Sequence, residues 1–160
     1  MKSPRYLYLI LAVASVLFGQ ACNKALVIEN VNYAQPIESV LVPDADGVVS
    51  DMRYGISFNT QPLLEEEFPN DSTKSIQTLR IIRNDSGYYF ITANEFKHVY
   101  VMAPKKGELK EVKKIMVNEE GIDNPAFNWR KPVVELVSMS SEEHHLLNEN
   151  GIVETQEEQS

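Results

Sequence analysis

The chain of 160 residues has room for one domain, and its hydrophobic content of 43% and charged content of 24% are those of a globular protein. Its 23 acids outnumber its 15 bases, so the formal net charge is −8. An acidic surface repels phosphate, which disfavours nucleic-acid binding and attachment to anionic headgroups by charge alone. The single cysteine excludes an internal disulfide, so the fold must depend on its core.

The first 21 residues have the three zones of a secretory signal peptide. Residues 1–5 carry two bases and no acid, residues 6–18 are an apolar run, and Gly19 and Ala21 are the small residues of a cleavage site. A bilayer core needs about 20 apolar residues, so this run is too short to cross it. We therefore expect export, with an uncleaved signal anchor as the alternative.

Cys22 follows the cleavage site directly. In this arrangement residues 1–22 resemble the bacterial lipoprotein class, in which that cysteine becomes the lipidated N-terminus. The resemblance implies a lipid on Cys22, and a neutral Asn23 after the cysteine implies the outer membrane, facing the periplasm. Gly19 and Ala21 also fit ordinary signal peptidase, which would leave a soluble secreted protein with a spare thiol. Because exported cysteines normally pair, lipidation is favoured.

Cleavage would remove two bases and no acid, which changes the formal charge from −8 to −10. Membrane residence must then come from the lipid. We expect residues 22–25 to form a short tether and residues 26–139 to form the domain.

That domain reads as a series of short β-strands punctuated by proline and glycine. Alternation over residues 52–59 predicts a strand with one buried face, and residues 84–87 have the chemistry of a hairpin turn. Residues 63–68 fit a loop or short helical turn. Residues 108–118 fit helix or strand, and their β-rich neighbourhood favours a strand. The predicted strands are residues 26–33, 37–42, 52–59, 76–83, 88–93, 97–103, 108–118 and 133–139.

These elements predict an all-β fold, a single β-sandwich. Residues 87–91, 97–101 and 103–104 resemble the closing hairpin of carboxypeptidase-regulatory-like and transthyretin-like sandwiches, which implies an immunoglobulin-like or prealbumin-like fold. Ser140 with Glu143 has the spacing of a capping box, so residues 140–151 are predicted to be a short helix or loop. Residues 152–160 read as a disordered acidic tail.

Asp44, Asp46 and Asp51, close to Gly47, are the best candidates for binding a cation. Oxygen ligands at alternate positions beside a glycine let a loop wrap calcium. The third alternating oxygen and the bidentate glutamate of an EF-hand are missing, so an acidic turn between strands is favoured and we expect no cofactor.

His144 and His145 are the second candidates for metal binding, beside Glu142 and Glu143. Adjacent residues on a helix do not share a face, whereas helical zinc sites use spacings of three or four. A solvated helix end is therefore favoured. His98 is expected on a strand as a satisfied or half-exposed side chain.

Residues 124–131 are predicted to form a loop that carries Phe127, Trp129, Arg130 and Lys131. Exposed aromatic and basic side chains in an acidic protein can mark a contact surface. The alternative is that Trp129 plugs one end of the sandwich.

No G-x-S-x-G motif or phosphate-binding glycine loop occurs in the chain, and its acidic runs follow from its composition. We therefore expect a lipid-anchored, non-catalytic binding or accessory module with a protein partner in the envelope. The alternative is a metal-assisted periplasmic hydrolase that uses Asp44, Asp46 and the histidines.

Overall fold

The structure is a computed structural model, and it describes residues 36–153. The signal segment, Cys22, the tether, the predicted strand at 26–33 and most of the acidic tail lie outside the described residues, so those predictions stay predictions.

Within residues 36–153 the chain forms eleven β-strands and one short helix. Pro62 supplies the fixed backbone angle in the first turn of helix α1, so of the two alternatives for residues 63–68, a loop or a short helical turn, the helical one is found. The elements are β1 (Ser39–Leu41), β2 (Val48–Asp51), β3 (Ile56–Asn59), α1 (Gln61–Glu67), β4 (Leu79–Arg83), β5 (Tyr89–Ala93), β6 (His98–Lys105), β7 (Glu108–Met116), β8 (Pro125–Arg130), β9 (Val133–Ser138), β10 (His144–Asn148) and β11 (Gly151–Ile152).

The strands form two larger antiparallel sheets and a separate hairpin, which confirms the all-β sandwich. One sheet has the order β1-β4-β5-β6-β7, the other has the order β11-β10-β9-β8, and β2 pairs with β3. Of the segment 108–118, residues Glu108–Met116 form a strand, β7, as their β-rich neighbourhood predicted. The turn at 84–87 is also confirmed, because Asn84 accepts the Gly87 amide at 3.0 Å and Gly87 has a φ of +90°.

The centre of the five-stranded sheet is buried on both faces, as β5 shows. All five of its residues are buried, and successive side chains point to opposite faces. Phe90 packs in a core cluster with Phe127 and Leu136 of the four-stranded sheet. Tyr89 packs in a second cluster with Val49 of the β2–β3 hairpin. The central sheet therefore separates two cores.

The segment after β9 differs from its prediction, because residues 144–148 form strand β10 and no helix occurs in residues 140–151. Glu143 does not close a capping box: its carboxylate accepts hydrogen bonds from the Asn118 amide group and contacts His145, while its carbonyl accepts the Ser138 amide. Strands β10 and β11 extend the sandwich from residue 139 to Ile152.

The alternating segment at 52–59 is also shorter than predicted. Residues 52–55 form the β2–β3 turn, and Met52, expected on the buried face, is 96% exposed at its tip. Ile56 and Phe58 do pack against the core. The predicted alternation of side chains, here half-buried and exposed, occurs only in residues 56–59, which pair with β2.

Antiparallel connections alternate between the two ends of the sandwich, which we name after the place where the described chain begins. The proximal end contains Ile37, whose carbonyl accepts a 2.8 Å hydrogen bond from the Tyr54 hydroxyl. It comprises residues 36–37, 51–56, 83–89, 105–108, 130–133 and 148–151. The distal end comprises residues 41–48, 59–79, 93–98, 116–125 and 138–144.

Candidate functional site

Most of the predicted contact loop at 124–131 is strand β8, Pro125–Arg130, so the prediction of an exposed aromatic loop is wrong. Phe127 is opposite Leu136 in the β8–β9 pair and is 3% exposed within the core. Trp129 is half-buried against the same cluster, which agrees with the alternative of a structural tryptophan. Arg130 is exposed, but its guanidinium is paired with the Glu135 carboxylate at 2.9 Å.

The predicted cation site is not assembled. Asp44 caps its own turn, since Oδ1 accepts the amides of Asp46 and Val48 at 3.0 and 2.9 Å. Asp51 lies at the opposite end of β2, buried, where Oδ1 accepts the Arg53 amide at 2.8 Å. Between residues 36 and 153 no three His, Cys, Asp or Glu side chains gather as metal ligands. The structure therefore does not bring Asp44, Asp46 and Asp51 together as one set of cation ligands.

The histidines serve the fold in different ways. His144 and His145 are neighbours on β10, so their side chains point to opposite faces. His145 Nε2 lies 3.0 Å from the Glu143 carboxylate, and His144 is exposed. His98 is half-buried on β6, as expected, and its Nδ1 lies 2.9 Å from Glu67.

Glu67 is a buried acid that the sequence-based reasoning missed. Its side chain is fully buried, and its Oε2 accepts the Lys97 amide at 2.8 Å. Its Oε1 accepts the Tyr100 hydroxyl at 2.8 Å and also contacts His98. Burial, followed by the hydrogen bond to Glu67, raises the pKa of Tyr100, which keeps the phenol a donor. The cluster fastens α1 to β6.

One signal for Glu67 was present in the sequence. Leu63 and Glu67 are four residues apart, so on a helix they share the face that packs inward. The neighbouring acids on α1, Glu65 and Glu66, are exposed. When the three consecutive acids are attributed only to the acidic composition of the chain, the difference between the buried Glu67 and its exposed neighbours is missed.

A cleft of about 640 Å³ opens at the distal end, within the usual size range of ligand pockets. It lies between the loop after α1, the β5–β6 turn, the β7–β8 loop and the β9–β10 loop. Hydroxyl, amide and charged groups dominate its wall, which includes Thr73, Lys74, Ser75, Gln77, Thr78, Arg80, Asn94, Glu95, Asp123, Asn124 and Ser140.

The wall of this distal cleft is held in a strained backbone conformation. Glu95 and Asn124 have φ values of +63° and +45°, and residues other than glycine rarely adopt this region of backbone conformation. The Glu95 amide donates to the Ile122 carbonyl at 2.9 Å, and the Asn124 amide donates to the Asn94 side chain at 2.7 Å. Gly121 makes this contact possible, because a Cβ there would lie 2.4 Å from the Glu95 carbonyl oxygen. Strain of this kind collects at functional sites.

Charge is divided unequally between the two ends. The two cations of the cleft wall are already paired, Lys74 with Glu95 and Arg80 with Glu38. Besides Arg80, which reaches the cleft wall from β4, the distal end contains two bases, Lys74 and Lys97. It contains twelve acids: Asp44, Asp46, Glu65, Glu66, Glu67, Asp71, Glu95, Glu119, Glu120, Asp123, Glu142 and Glu143. The proximal end has the bases Arg53, Arg83, Lys105, Lys106, Arg130 and Lys131 and the acids Asp51, Asp85, Glu108 and Glu149.

No family model, curated protein or solved structure matches the chain. Between residues 36 and 153 the helical content is the seven-residue α1, and no helix there has the length and hydropathy of a membrane span.

Proposed function

We propose that the protein is a lipid-anchored, non-catalytic binding module of the cell envelope. Cys22 carries the lipid at the outer membrane, and the domain faces the periplasm, where its distal end binds a partner protein. The observation that supports binding is the polar distal cleft, which opens at the end of the sandwich where acids outnumber bases. Loops held by a rigid sandwich are the usual place for recognition.

The chemistry of the distal cleft favours a basic partner. Its hydroxyl and amide groups offer hydrogen bonds to a polypeptide backbone, and the acids around them attract lysine and arginine. Asp123 lines the cleft, is exposed and has no ion-pair partner among the described residues, so it is available to a cation on the partner. Attraction of this kind mainly raises the association rate and weakens with salt.

Binding is better supported than catalysis because, in residues 36–153, the buried cluster of Glu67, His98 and Tyr100 already has its polar groups hydrogen-bonded within the fold. Glu67 accepts hydrogen bonds from Lys97 and Tyr100 and contacts His98, with no exposed carboxylate surface. A general base must reach a substrate proton, and this carboxylate is closed to solvent.

Replacing Cys22 with serine should move the protein from the membrane fraction to the soluble fraction, because serine cannot take the thioether-linked lipid. Several acyl chains hold a protein on a bilayer effectively permanently, whereas charge alone does not hold so acidic a chain there. Fractionation of cells that express the tagged wild type and Cys22→Ser measures this. If the wild type itself is found in the soluble fraction, the lipoprotein proposal is refuted.

A photo-crosslinking residue at Gln77 should yield a discrete adduct with a protein in intact cells. Gln77 is exposed on the wall of the distal cleft, so a bound partner lies within reach. Asn150 is the matched control, since it is also exposed but lies in the β10–β11 turn at the proximal end. Electrophoresis after illumination measures both.

Glu119→Lys combined with Glu120→Lys should reduce the Gln77 adduct, because both acids are exposed beside the cleft and attract a basic partner. Equal adducts from Gln77 and Asn150, or a Gln77 adduct indifferent to this charge reversal, would contradict recognition by the acidic distal end.

A further inference from the structure

The proximal end carries an excess of bases although the whole chain is acidic. Six bases and four acids lie there, and of the six bases Arg130 is already paired with Glu135 of β9. Lys105 and Lys106 are exposed at the tip of the β6–β7 hairpin and have no ion-pair partner among the described residues. Of the other bases, Lys131 is 78% exposed and makes only a 3.6 Å contact with Asp85.

The described chain also begins at this end. The Ile37 carbonyl accepts hydrogen bonds from the Tyr54 hydroxyl at 2.8 Å and from Arg53 Nη1 at 3.1 Å. Pro36 therefore lies at the proximal end, and Cys22 precedes it by 14 residues. A fully extended segment of that length reaches about 50 Å, so a lipid on Cys22 would keep the whole domain within that distance of the bilayer, and the charge of each end then decides which end faces it.

We propose that the proximal end rests on the anionic phospholipid headgroups of the membrane that holds the lipid, an inference that depends on the proposed lipid anchor. Its lysines and arginines meet phosphate, while the acidic distal end is repelled and turns away. Met52, 96% exposed beside Arg53, places an apolar side chain at the same surface. The distal cleft is thereby presented to the periplasm.

The two ends act as separate surfaces because the distance between them exceeds the range of screened charge. From Thr78 to Asn84 the chain runs along β4 for six residues, roughly 20 Å at the rise of a strand. The Debye length at physiological salt is about 8 Å. A headgroup layer at the proximal end is therefore largely screened from the twelve distal acids, and the local excess of bases decides the interaction.

Amine acylation of the lipidated protein in vesicles tests this orientation. Vesicles of phosphatidylcholine alone are compared with vesicles that also contain phosphatidylglycerol, and mass spectrometry follows each lysine. We expect acylation of Lys105, Lys106 and Lys131 to slow by about fivefold in the anionic vesicles, the effect of one lysine near such a surface. Lys97, exposed at the distal end, is the internal control and should not change.

Reversing the charge of proximal lysines tests the orientation of the domain independently of the lipid anchor. Lys105→Glu with Lys106→Glu should abolish the protection of Lys131 in anionic vesicles, whereas Lys97→Glu should leave it intact. Equal rates in both kinds of vesicle, or equal protection of Lys97, overturn the orientation and leave the lipid anchor standing.

If the wild type proves to be unlipidated, the anchor fails and sedimentation of the protein with phosphatidylglycerol vesicles decides on the headgroups. If the protein binds these vesicles and the double variant Lys105→Glu, Lys106→Glu binds them more weakly, contact of the proximal end with the headgroups is supported. No binding at low salt overturns it.

Discussion

Replacing Glu67 with alanine should lower the free energy of unfolding by about 3–5 kcal/mol, the usual result of removing one partner from a buried charged network. The Lys97 amide and the Tyr100 hydroxyl lose their acceptor, and His98 loses its contact with the carboxylate. Burial prevents water from replacing these interactions fully, since the Glu67 side chain has no exposed surface. Chemical denaturation followed by tryptophan fluorescence measures the difference.

Glu66→Ala is the matched control on the same helix. Glu66 forms an ion pair with Lys114, but the two side chains are 40% and 36% exposed. A pair in that environment contributes less than about 1 kcal/mol. If both variants lose the same small amount of stability, the buried cluster does not hold α1 to β6 and its structural role is refuted.

Phe127→Ala should also cost about 3–5 kcal/mol of stability, because it leaves a cavity where a phenyl ring fills the core between the two sheets. The ring is 3% exposed and packs in the cluster that contains Phe90 and Leu136. The loss should be visible as a lower midpoint of thermal unfolding.

Asn128→Ala tests whether this effect belongs to the inner face of β8. Asn128 is the next residue on the strand, points outward and is exposed, so its replacement should change stability by less than about 0.5 kcal/mol. A Phe127→Ala protein with unchanged stability and lost partner capture would restore the contact surface that the sequence pattern indicated.

Local patterns were sufficient for the hairpin of β4 and β5. Two apolar runs flank Asn84-Asp85-Ser86-Gly87, and the turn closes through hydrogen bonds within those few residues. Nothing distant is needed to form it, which is why its place could be predicted from composition and spacing.

Segments 124–130 and 144–148 were misassigned because their structure depends on a distant partner. Both pair with β9, and the register of that pairing buries Phe127 and Leu147. A proline at 125 and a possible capping box at 140–143 are local signals of a loop and a helix. Ladder hydrogen bonds and burial outweigh such weak signals, as tertiary context commonly does.

The all-β class and the hypotheses of an export signal and of lipidation at Cys22 follow from short stretches of sequence, since strand alternation, turn chemistry and the pattern of a signal peptide involve neighbouring residues. The division of charge is different. Its twelve distal acids extend from Asp44 to Glu143 and alternate along the chain with the proximal bases. They gather at one end because each antiparallel strand carries the chain to the opposite end, and the long-range pairing that orders those strands exists only in the folded sandwich.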